Sequence, residues 1–410
     1  MRVLHLATTD GGGGASKFGV HLHRGLIATG GESRMLVGRL EQPEPGIHAW
    51  YSAGHWDTHF SRLGRKLGLN YALLPRGPEL LRHVDFRWAD VLHVHNLHGG
   101  YINYLAMPLL TAAKPTVFTV HDEWPFTGHC AVTAGCARWE TGCGKCPHLD
   151  AYPAVESDRT WLEWRLKRWA LSNASMHLAC PSEHILDRAR RSHFSKHPLH
   201  LVPHGTDLAV FTPGSKADAR ERLGIGRDVK IILVAAQNLA GPRKGVLRFL
   251  EALRAVPETS RSNLVLLSFG NNSQRVADVS PIPHISLGYL TSDAEKRTAY
   301  CAADLYVSAS LGESFGLTAL EAIACGLPVA AFASGGIKDI VRPGHSGVLA
   351  ETGDWTGLID ATLRLAGDAG VRMSLSRTAR QLALDQFSWD QMMRRYWAIY
   401  DRALGHGEKT

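Results

Sequence analysis

The stretch "SASLGESFGLTALEAIACGLPVAAFASGG", residues 308–336, contains the most regular pattern in the chain. A strand ends near Ser310, a loop with glycine follows, and the pattern predicts a helix from about Leu317 to Cys325. Glycine and proline end that helix, and a second apolar strand follows. Continuous apolar strands joined through a helix are typical of parallel sheets covered on both faces.

The same alternation of strands and helices runs through the rest of the 410 residues. The predicted strands are "RVLHLAT", "SRMLVG", "VLHVH", "TVFTV", "KIILVAAQ", "NLVLLSFG", "HISLGYL", "DLYVSAS" and "PVAAFAS". We therefore predict an α/β protein with two doubly wound, Rossmann-like domains that face each other across a cleft. A polar segment rich in proline and glycine, residues 201–224, separates an N-terminal domain, 1–203, from a C-terminal domain, 204–385. An amphipathic helix is predicted over residues 386–406.

Composition limits the class of protein. Apolar residues make up 45% and charged residues 20% of the chain, as in soluble globular proteins, and no apolar run is long enough to span a membrane. The N-terminal apolar run is too short for a signal peptide, so we expect the reducing cytoplasm. The net charge of +7 favours anionic partners such as nucleotide phosphates or an anionic membrane surface. No nucleic-acid-binding signature is present, so no nucleic acid partner is expected.

Two glutamates in the first quoted stretch lie eight residues apart. At about 1.5 Å of rise per helical residue, Glu313 and Glu321 would be separated by roughly 12 Å. The free N–H groups at the start of the helix, from Phe315 to Thr318, can hold a pyrophosphate between them. A nucleotide sugar needs this order: a carboxylate at the hexose, a positive helix end at the diphosphate and a carboxylate at the ribose. The alternative is a surface helix with two solvated glutamates.

A second polar loop follows a predicted strand in the same half of the chain. In "AAQNLAGPRKGVLRFLEAL", residues 235–253, Arg243 and Lys244 follow the carboxyl end of the strand. Two cations there can neutralise a leaving diphosphate without a metal. Taken alone, such a pair is usually a solvated turn, but its place in the same predicted domain as the two glutamates favours a common site.

The run "TTDGGGGASKFGV", residues 8–20, joins the first strand to the first helix. Successive glycines let the backbone approach a ligand closely, and the helix N-terminus that follows favours an anion. A dinucleotide site is a competing interpretation, because Gly12 and Gly14 begin a G-x-G-x-x-G pattern and Glu32 lies near the expected distance for a ribose carboxylate. Lys17 replaces the third glycine, which argues against that interpretation.

Four of the seven cysteines fall within "HDEWPFTGHCAVTAGCARWETGCGKCP", residues 121–147. They are Cys130, Cys136, Cys143 and Cys146. Only the last two have the spacing of a metal knuckle. A structural zinc ion, with His129 or His148 as a substitute ligand, and unliganded thiols both fit this loop. Disulfides are disfavoured in a reducing compartment.

In these residues the chain resembles the retaining glycosyltransferases of family four, which have the GT-B fold. The segment from Glu313 to Glu321 is similar to that family's E-x7-E signature, and "VPHGTDLAVFTP", residues 202–213, resembles its domain junction. "RKG", "GGASKFGVHLHRGL" and "PGHSGVLAETGD" match its donor-phosphate motif, its N-terminal loop and a late strand turn. The final segment "FSWDQMMRRYWAIYDRAL" resembles the helix that crosses back to the N-terminal domain. The cysteine segment resembles a branch that includes colanic-acid-type exopolysaccharide transferases.

The resemblance implies a role for each matching residue. Glu313 would contact the transferred sugar and Glu321 the ribose hydroxyls, while Lys244 and Arg243 would stabilise the leaving phosphate. His121, directly after a strand, would face the donor sugar. The remaining positions that would bind the donor are Gly13, Gly14, Asn238, Ser314, Phe315, Gly316, Leu317 and Thr318.

The mechanism implied by the resemblance is transfer with retention at the anomeric carbon, in which the leaving phosphate takes the acceptor proton and no metal is required. The family usually has an arginine where this chain has Gln237 and Asn238, and Arg243 would substitute for it. The expected partners are a UDP- or GDP-linked sugar and a glycan, a lipid-linked or a small-molecule acceptor. Two competing functions are a non-catalytic nucleotide-sugar-binding subunit and a Rossmann oxidoreductase.

One aromatic and basic stretch stands apart from these motifs. "RTWLEWRLKRWALSN", residues 159–173, could lie on an anionic membrane where lipid-linked acceptors reside. The alternative is a helix that packs into the N-terminal domain, because tryptophan suits both places.

Overall fold

Two parallel β-sheets, one in each of two units of the chain, form the framework of the protein. In the computed structural model, which describes residues 1–51 and 55–406, the first unit contains residues 1–203 and the chain from Met393 onwards. The second unit contains residues 204–392. The predicted α/β class with two doubly wound units is confirmed.

The first unit has a seven-stranded sheet in the order β3-β2-β1-β4-β5-β6-β7, with every neighbouring pair parallel. Its strands are β1 (Arg2–Thr9), β2 (Glu32–Arg39), β3 (Ile47–Ala49), β4 (Val91–Val94), β5 (Thr116–Thr119), β6 (His177–Cys180) and β7 (Leu199–Leu201). β1, β4 and β5 are buried along most of their length, as strands covered on both faces require.

Helices cover this first sheet. They are α1 (Gly14–Ala28), α2 (His55–Leu67), α3 (Val84–Trp88), α4 (Met107–Ala113), α5 (Arg138–Thr141), α6 (Thr160–Ser172) and α7 (Glu183–Arg190). Single 3₁₀ turns occur at Pro78–Arg82, Tyr104–Ala106 and Trp124–Phe126. α1 begins at a glycine and packs on β1 and β2, so the glycine loop leads directly into the helix.

The second unit has a six-stranded sheet in the order β10-β9-β8-β11-β12-β13, again entirely parallel. Its strands are β8 (Lys230–Asn238), β9 (Leu264–Asn271), β10 (His284–Ser286), β11 (Leu305–Ser308), β12 (Val329–Phe332) and β13 (Gly347–Ala350). A 3₁₀ turn, Pro242–Lys244, follows β8.

The helices that begin in the second unit complete the chain. They are α8 (Lys216–Arg222), α9 (Val246–Arg254), α10 (Glu258–Arg261), α11 (Ser273–Val279), α12 (Asp293–Ala302), α13 (Leu317–Ala324), α14 (Ile337–Ile340), α15 (Trp355–Gly367), α16 (Ala369–Gln386) and α17 (Trp389–Ala403). The final helix starts at Trp389 rather than near residue 386, because α16 continues to Gln386. No helix in the described part of the chain has both the length and the apolar content to cross a membrane.

The strand orders show where a ligand would bind in each unit. The chain leaves β1 towards β2 on one side and returns through β4 on the other, and in the second unit β8 lies between β9 and β11 in the same way. Open parallel sheets bind ligands outside the carboxyl ends of the strands at such a switch point. The loops after β1, β4, β8 and β11 are therefore the ones that position a site.

Candidate active site

A charged cluster lies at the switch point of the second sheet. Lys244 Nζ donates to Glu313 Oε1 at 2.5 Å, across the two loops that follow β8 and β11. Arg243 Nη1 donates to the carbonyl oxygen of Gly312 at 2.6 Å and lies 3.9 Å from Glu313 Oε2. The structure thus brings together three residues that the sequence predicted as catalytic.

The charge state of Glu313 follows from its neighbours. Its side chain is only 15% exposed, and burial alone would raise its pKa. The positive charges of Lys244 and Arg243 outweigh burial, so the pKa of Glu313 lies below its usual value. The carboxyl group is therefore ionised at neutral pH and can only accept hydrogen bonds, from a lysine or from sugar hydroxyls.

Two glycines allow the loops of this cluster to touch. Gly245 has φ +67°, and a side chain there would place its Cβ 2.1 Å from the carbonyl oxygen of Ala309. Gly335 has φ +58°, and its Cβ would lie 2.0 Å from the carbonyl oxygen of Glu313. The N–H of Gly336 donates to that same oxygen at 2.7 Å. The close approach that Gly335 and Gly336 make to Glu313 was not predicted from the sequence.

The helix α13 begins immediately after this loop. Gly316, the residue before its first turn, has φ +109° and no side chain to cap that turn, so the N–H groups there are open to an anion. Phe315 is buried, with its ring against His204 and Phe387, so it can offer a ligand only its backbone. Thr318 Oγ1 accepts a hydrogen bond from the Tyr306 hydroxyl at 2.8 Å. Ser314, Gly316 and Leu317 also lie in this turn, as predicted.

Glu321 lies further along α13 and has a partner that the sequence did not indicate. The hydroxyl of Tyr300 in α12 donates to Glu321 Oε2 at 2.8 Å. One carboxylate oxygen is thereby oriented. No spacing in the sequence links Tyr300 to Glu321, because the contact depends on how α12 packs against α13.

Asn238 ends β8 beside the charged loop. Its Oδ1 accepts from Asn272 Nδ2 at 2.8 Å and from the N–H of Ala240 at 3.1 Å. These contacts fix the turn that leads to Arg243. The substitution of Arg243 for the arginine that related sequences have near Asn238 stays a prediction.

In the first unit, the glycine loop lies at the carboxyl end of β1. Gly12 and Gly13 have φ of +62° and +68°, and α1 starts at Gly14. Glu32 is the candidate ribose carboxylate of the dinucleotide interpretation. It begins β2 and so lies at the amino ends of the strands, opposite to the glycine loop. A ribose carboxylate must lie near the carboxyl ends of the strands, so this geometry argues against a dinucleotide site.

A row of buried histidines lies beside that loop. His121 Nε2 is 3.1 Å from His95 Nδ1, and His95 Nε2 is 3.0 Å from His5 Nδ1. The far nitrogen of His5, Nε2, is buried without a hydrogen-bond partner among the described residues. A buried N–H without a partner costs more than an unused lone pair, which favours the proton on His5 Nδ1. That proton fixes the chain of donors: His5 donates to His95, and His95 donates to His121 Nε2.

Three of the histidines here, His5, His93 and His95, are neutral. Burial lowers the pKa of His95 to about 3, and burial lowers the pKa values of His5 and His93 as well. The nitrogens of His93 are hydrogen-bonded to the Tyr400 hydroxyl at 2.6 Å and to Thr119 Oγ1 at 2.8 Å. The hydrogen-bonded row therefore contains two neutral members, His5 and His95, and ends at His121.

The aromatic stretch after the cysteine loop forms α6, and its two faces differ. Trp164 is buried, whereas Trp161 is 47% and Trp169 is 57% exposed. The exposed tryptophans share a face with Arg165 and Arg168, at the spacing of successive helical turns. The helix packs into its unit on one side and presents an aromatic, basic surface on the other.

The comparisons with known proteins agree with this architecture. WaaG, a glycosyltransferase involved in lipopolysaccharide biosynthesis, superposes with a TM-score of 0.72 at 18% identity, over 97% of this chain and 99% of that chain. Alr3699/HepE of Anabaena, in complex with UDP, gives a TM-score of 0.68 at 15% identity, over 98% and 100%. The fold is therefore that of the GT-B glycosyltransferases.

Two glycosyltransferase domain models match the chain. The domain described as "Glycosyltransferase Family 4" matches residues 12–210, and "Glycosyl transferases group 1" matches residues 230–368. These matches confirm the resemblance to the family 4 glycosyltransferases.

Two curated relatives match part of their own length. The colanic acid biosynthesis glycosyl transferase WcaC of Escherichia coli (strain K12) is 30% identical over 275 residues, 64% of this chain and 64% of that protein. D-inositol 3-phosphate glycosyltransferase 1 of Catenulispora acidiphila is 32% identical over 221 residues, 51% of this chain and 53% of that protein. The chain thus spans less than two thirds of the length of these relatives.

Proposed function

We propose that the chain is a retaining glycosyltransferase that moves a sugar from a nucleoside-diphosphate sugar to an acceptor hydroxyl. The observation that carries this proposal is the contact between Lys244 and Glu313 at the start of α13. It places one carboxylate, two cations and an uncapped helix N-terminus at one switch point. A sugar diphosphate has the complementary groups: hydroxyls for the carboxylate and an anion for the cations.

The proposed transfer stabilises the departing charge without a resident metal. The bond between the anomeric carbon and the phosphate oxygen breaks, and Lys244, Arg243 and the α13 N–H groups stabilise the negative charge on the departing diphosphate. The acceptor oxygen forms the new bond on the same face of the sugar, and its proton passes to the leaving phosphate oxygen. Glu313 holds the sugar, and Glu321, oriented by Tyr300, holds the ribose hydroxyls.

The first unit contributes His121 and the glycine loop to this proposal. In the hydrogen-bonded chain from His5 through His95, His121 Nε2 is the last acceptor, and this contact orients the His121 ring. Gly13 and Gly14 leave room for the diphosphate at the start of α1.

The acceptor belongs to exopolysaccharide or lipid-linked glycan assembly, which the relative from colanic acid biosynthesis supports. The exposed face of α6, with Trp161 and Trp169 beside two arginines, would contact the cytoplasmic side of an anionic membrane. The relative that is named for inositol phosphate favours the competing case, a small soluble acceptor.

A donor screen followed by product analysis tests the proposal. Thermal shifts with UDP- and GDP-linked sugars identify the donor, and the anomeric proton of the product, followed by NMR, gives the stereochemistry. Retention of the donor's anomeric configuration is expected. An inverted product, or the absence of a stabilising nucleotide sugar, would contradict the proposal.

The membrane contact has its own test. Anionic vesicles should sediment the wild type, and Trp161→Ser with Trp169→Ser should reduce the bound fraction about tenfold, because two exposed tryptophans insert at the interface. Leu384→Ser, which removes an exposed apolar side chain from the second unit, is the control. Equal binding by all three proteins would exclude the α6 face.

A further inference from the structure

The cysteine loop is unusually long for a segment of a folded unit with so little regular structure. Between β5 and α6, residues 120–159 contain only the turn Trp124–Phe126 and the one-turn helix α5. Long segments without secondary structure are uncommon in compact domains unless something other than a backbone ladder holds them. Four cysteines lie in this loop.

The backbone around the cysteines is tightly folded. Five residues between the first and the fourth cysteine have positive φ: Ala134, Gly135, Gly142, Gly144 and Lys145. For non-glycine residues this conformation costs roughly 1–2 kcal/mol each, so the surroundings must impose it. Two of the five are the residues between the knuckle cysteines.

His129 presents a lone pair to one of these thiols. Its Nδ1 lies 3.1 Å from the carbonyl oxygen of Pro153, which can only accept, so Nδ1 carries the ring proton. The other nitrogen, Nε2, therefore has a lone pair, and it lies 3.5 Å from Cys146 Sγ. His129 is 1% exposed. At that distance, either the Cys146 thiol donates its proton to Nε2, or a metal ion binds the Cys146 thiolate and Nε2 together.

A backbone contact brings the two ends of the loop together. Cys143 Sγ accepts a hydrogen bond from the N–H of Gly128 at 3.2 Å, a contact that stabilises a thiolate. A side chain at Gly128 would place its Cβ 3.0 Å from the Cβ of Cys143. The segment of His129 and Cys130 is thereby held against the knuckle.

A buried cation lies within electrostatic reach of the cluster. Lys167 on α6 is fully buried, donates to the carbonyl oxygen of Trp124 at 2.9 Å, and interacts with Cys130 and Cys143 as well as with Glu163. Three thiolates around a divalent cation carry a net charge of about −1, which a neighbouring ammonium offsets.

We propose that the cysteine loop binds one structural zinc ion through Cys143, Cys146 and His129 Nε2, with a thiolate of Cys130 or Cys136 as the fourth ligand. Thiolates with an imidazole suit zinc, and the second ring nitrogen of a ligating histidine commonly donates to a backbone carbonyl, as His129 does here. Four protein ligands leave no open position, so the ion would be structural.

The ligand atoms of the loop must move closer together when it binds the ion. Among the described residues, the one group of three ligands whose donor atoms all lie within 4.8 Å of one another is His5, His93 and His95, not the thiols. The nitrogens of that group are occupied by the hydrogen bonds described above, apart from His5 Nε2. Zinc–sulfur distances of about 2.3 Å would draw the cysteines together.

Metal analysis of the purified full chain tests this site. The wild type should contain about one zinc per chain, released when the thiols are blocked by a mercurial. Cobalt in its place should give the visible bands of a tetrahedral ion and near-ultraviolet thiolate charge transfer. Cys143→Ser, Cys146→Ser and His129→Asn should each lose the metal, whereas Cys301→Ser, in the second unit, should keep it. One of Cys130→Ser and Cys136→Ser should lose it.

Experiments on the wild-type protein test the zinc site even if a variant fails to fold. Chelation of the wild type should remove the zinc and expose residues 120–159 to protease. Metal-free wild type with freely alkylated thiols, or with disulfides in the loop, would overturn the site. Full zinc content in folded His129→Asn, or in both Cys130→Ser and Cys136→Ser, would overturn the proposed ligands.

Discussion

The two sheets carry different chemistry at the carboxyl ends of their strands. In the second unit, the loops after β8 and β11 hold Lys244, Arg243 and an ionised Glu313 in contact. In the first unit, β1 and the loops after β4 and β5 hold three histidines in a hydrogen-bonded row, of which His5 and His95 are neutral.

This difference shows that one framework can serve two electrostatic tasks. The charged cluster can hold a dianionic phosphate, and the carboxylate keeps the cations in place before a donor arrives. In the histidine row, burial opposes protonation of His5 and His95, so these two cannot hold charge. What the row can do is hold one imidazole in one tautomer, which is a positioning task.

The largest effect is expected where the charged cluster is broken. Lys244→Ala and Glu313→Gln should abolish measurable transfer, a loss of at least about 10³-fold in kcat, because charge stabilisation in the transition state is removed. Circular dichroism should show an intact fold. Arg364→Ala, an exposed cation on α15, is the matched control. Wild-type turnover by either folded variant would refute the site.

Acid should destabilise the first unit more than the second. Burial lowers the pKa values of several histidines in the first unit, most strongly those of His5, His93, His95, His193 and His200. The unfolded chain binds their protons below about pH 6.5, so each contributes stability that falls by roughly 1.4 kcal/mol per pH unit as acid is added, until its folded pKa is reached.

One group in the first unit opposes this trend. Burial raises the pKa of Glu163 to about 8. The contribution of Glu163 to stability therefore grows as the pH falls from about 8 towards the ordinary pKa of a glutamate. Five groups outweigh one, and the first unit should therefore unfold between about pH 6.5 and 5. Hydrogen exchange of each unit, measured during thermal unfolding at several pH values, would show this acid-induced loss of stability. Equal acid sensitivity of both units would contradict the assignment of neutral histidines.

A smaller effect is expected where the histidine row is interrupted. His95→Asn should lower kcat by about tenfold to a hundredfold with little change in the KM for the donor, because His121 loses the donor that orients it. His200→Asn breaks a similar contact, 3.0 Å to His177, at the opposite edge of the same sheet and should leave kcat unchanged. If both variants behave alike, the row is only structural.

The smallest effect concerns the hydroxyl that orients Glu321. Tyr300→Phe removes one hydrogen bond to a charged group, worth about 1.5 kcal/mol, and should raise the donor KM about tenfold while kcat stays near the wild-type value. A change in kcat without a change in KM would place Tyr300 outside donor binding. Initial rates over a range of donor concentrations distinguish the two.

Sequence patterns predicted most of the fold because buried parallel strands are apolar runs. All nine quoted runs are strands, whereas the short strands β3, β6 and β7 were not predicted and β13 was indicated only by the resemblance. β6, with the sequence His-Leu-Ala-Cys, has no β-branched residue and was too short to recognise. The charged site was predictable because its residues follow strands closely in the chain. Tyr300, Gly335 and the partners of His121 were not, since their contacts come from packing between distant segments.

Binding of UDP and GDP to the wild type and to Lys244→Ala, measured by titration calorimetry, tests most directly whether the charged cluster holds a nucleoside diphosphate. We expect one of the two nucleotides to bind the wild type, and Lys244→Ala to bind it at least about tenfold more weakly, with Arg364→Ala unchanged. Equal affinity of Lys244→Ala and wild type would contradict the account.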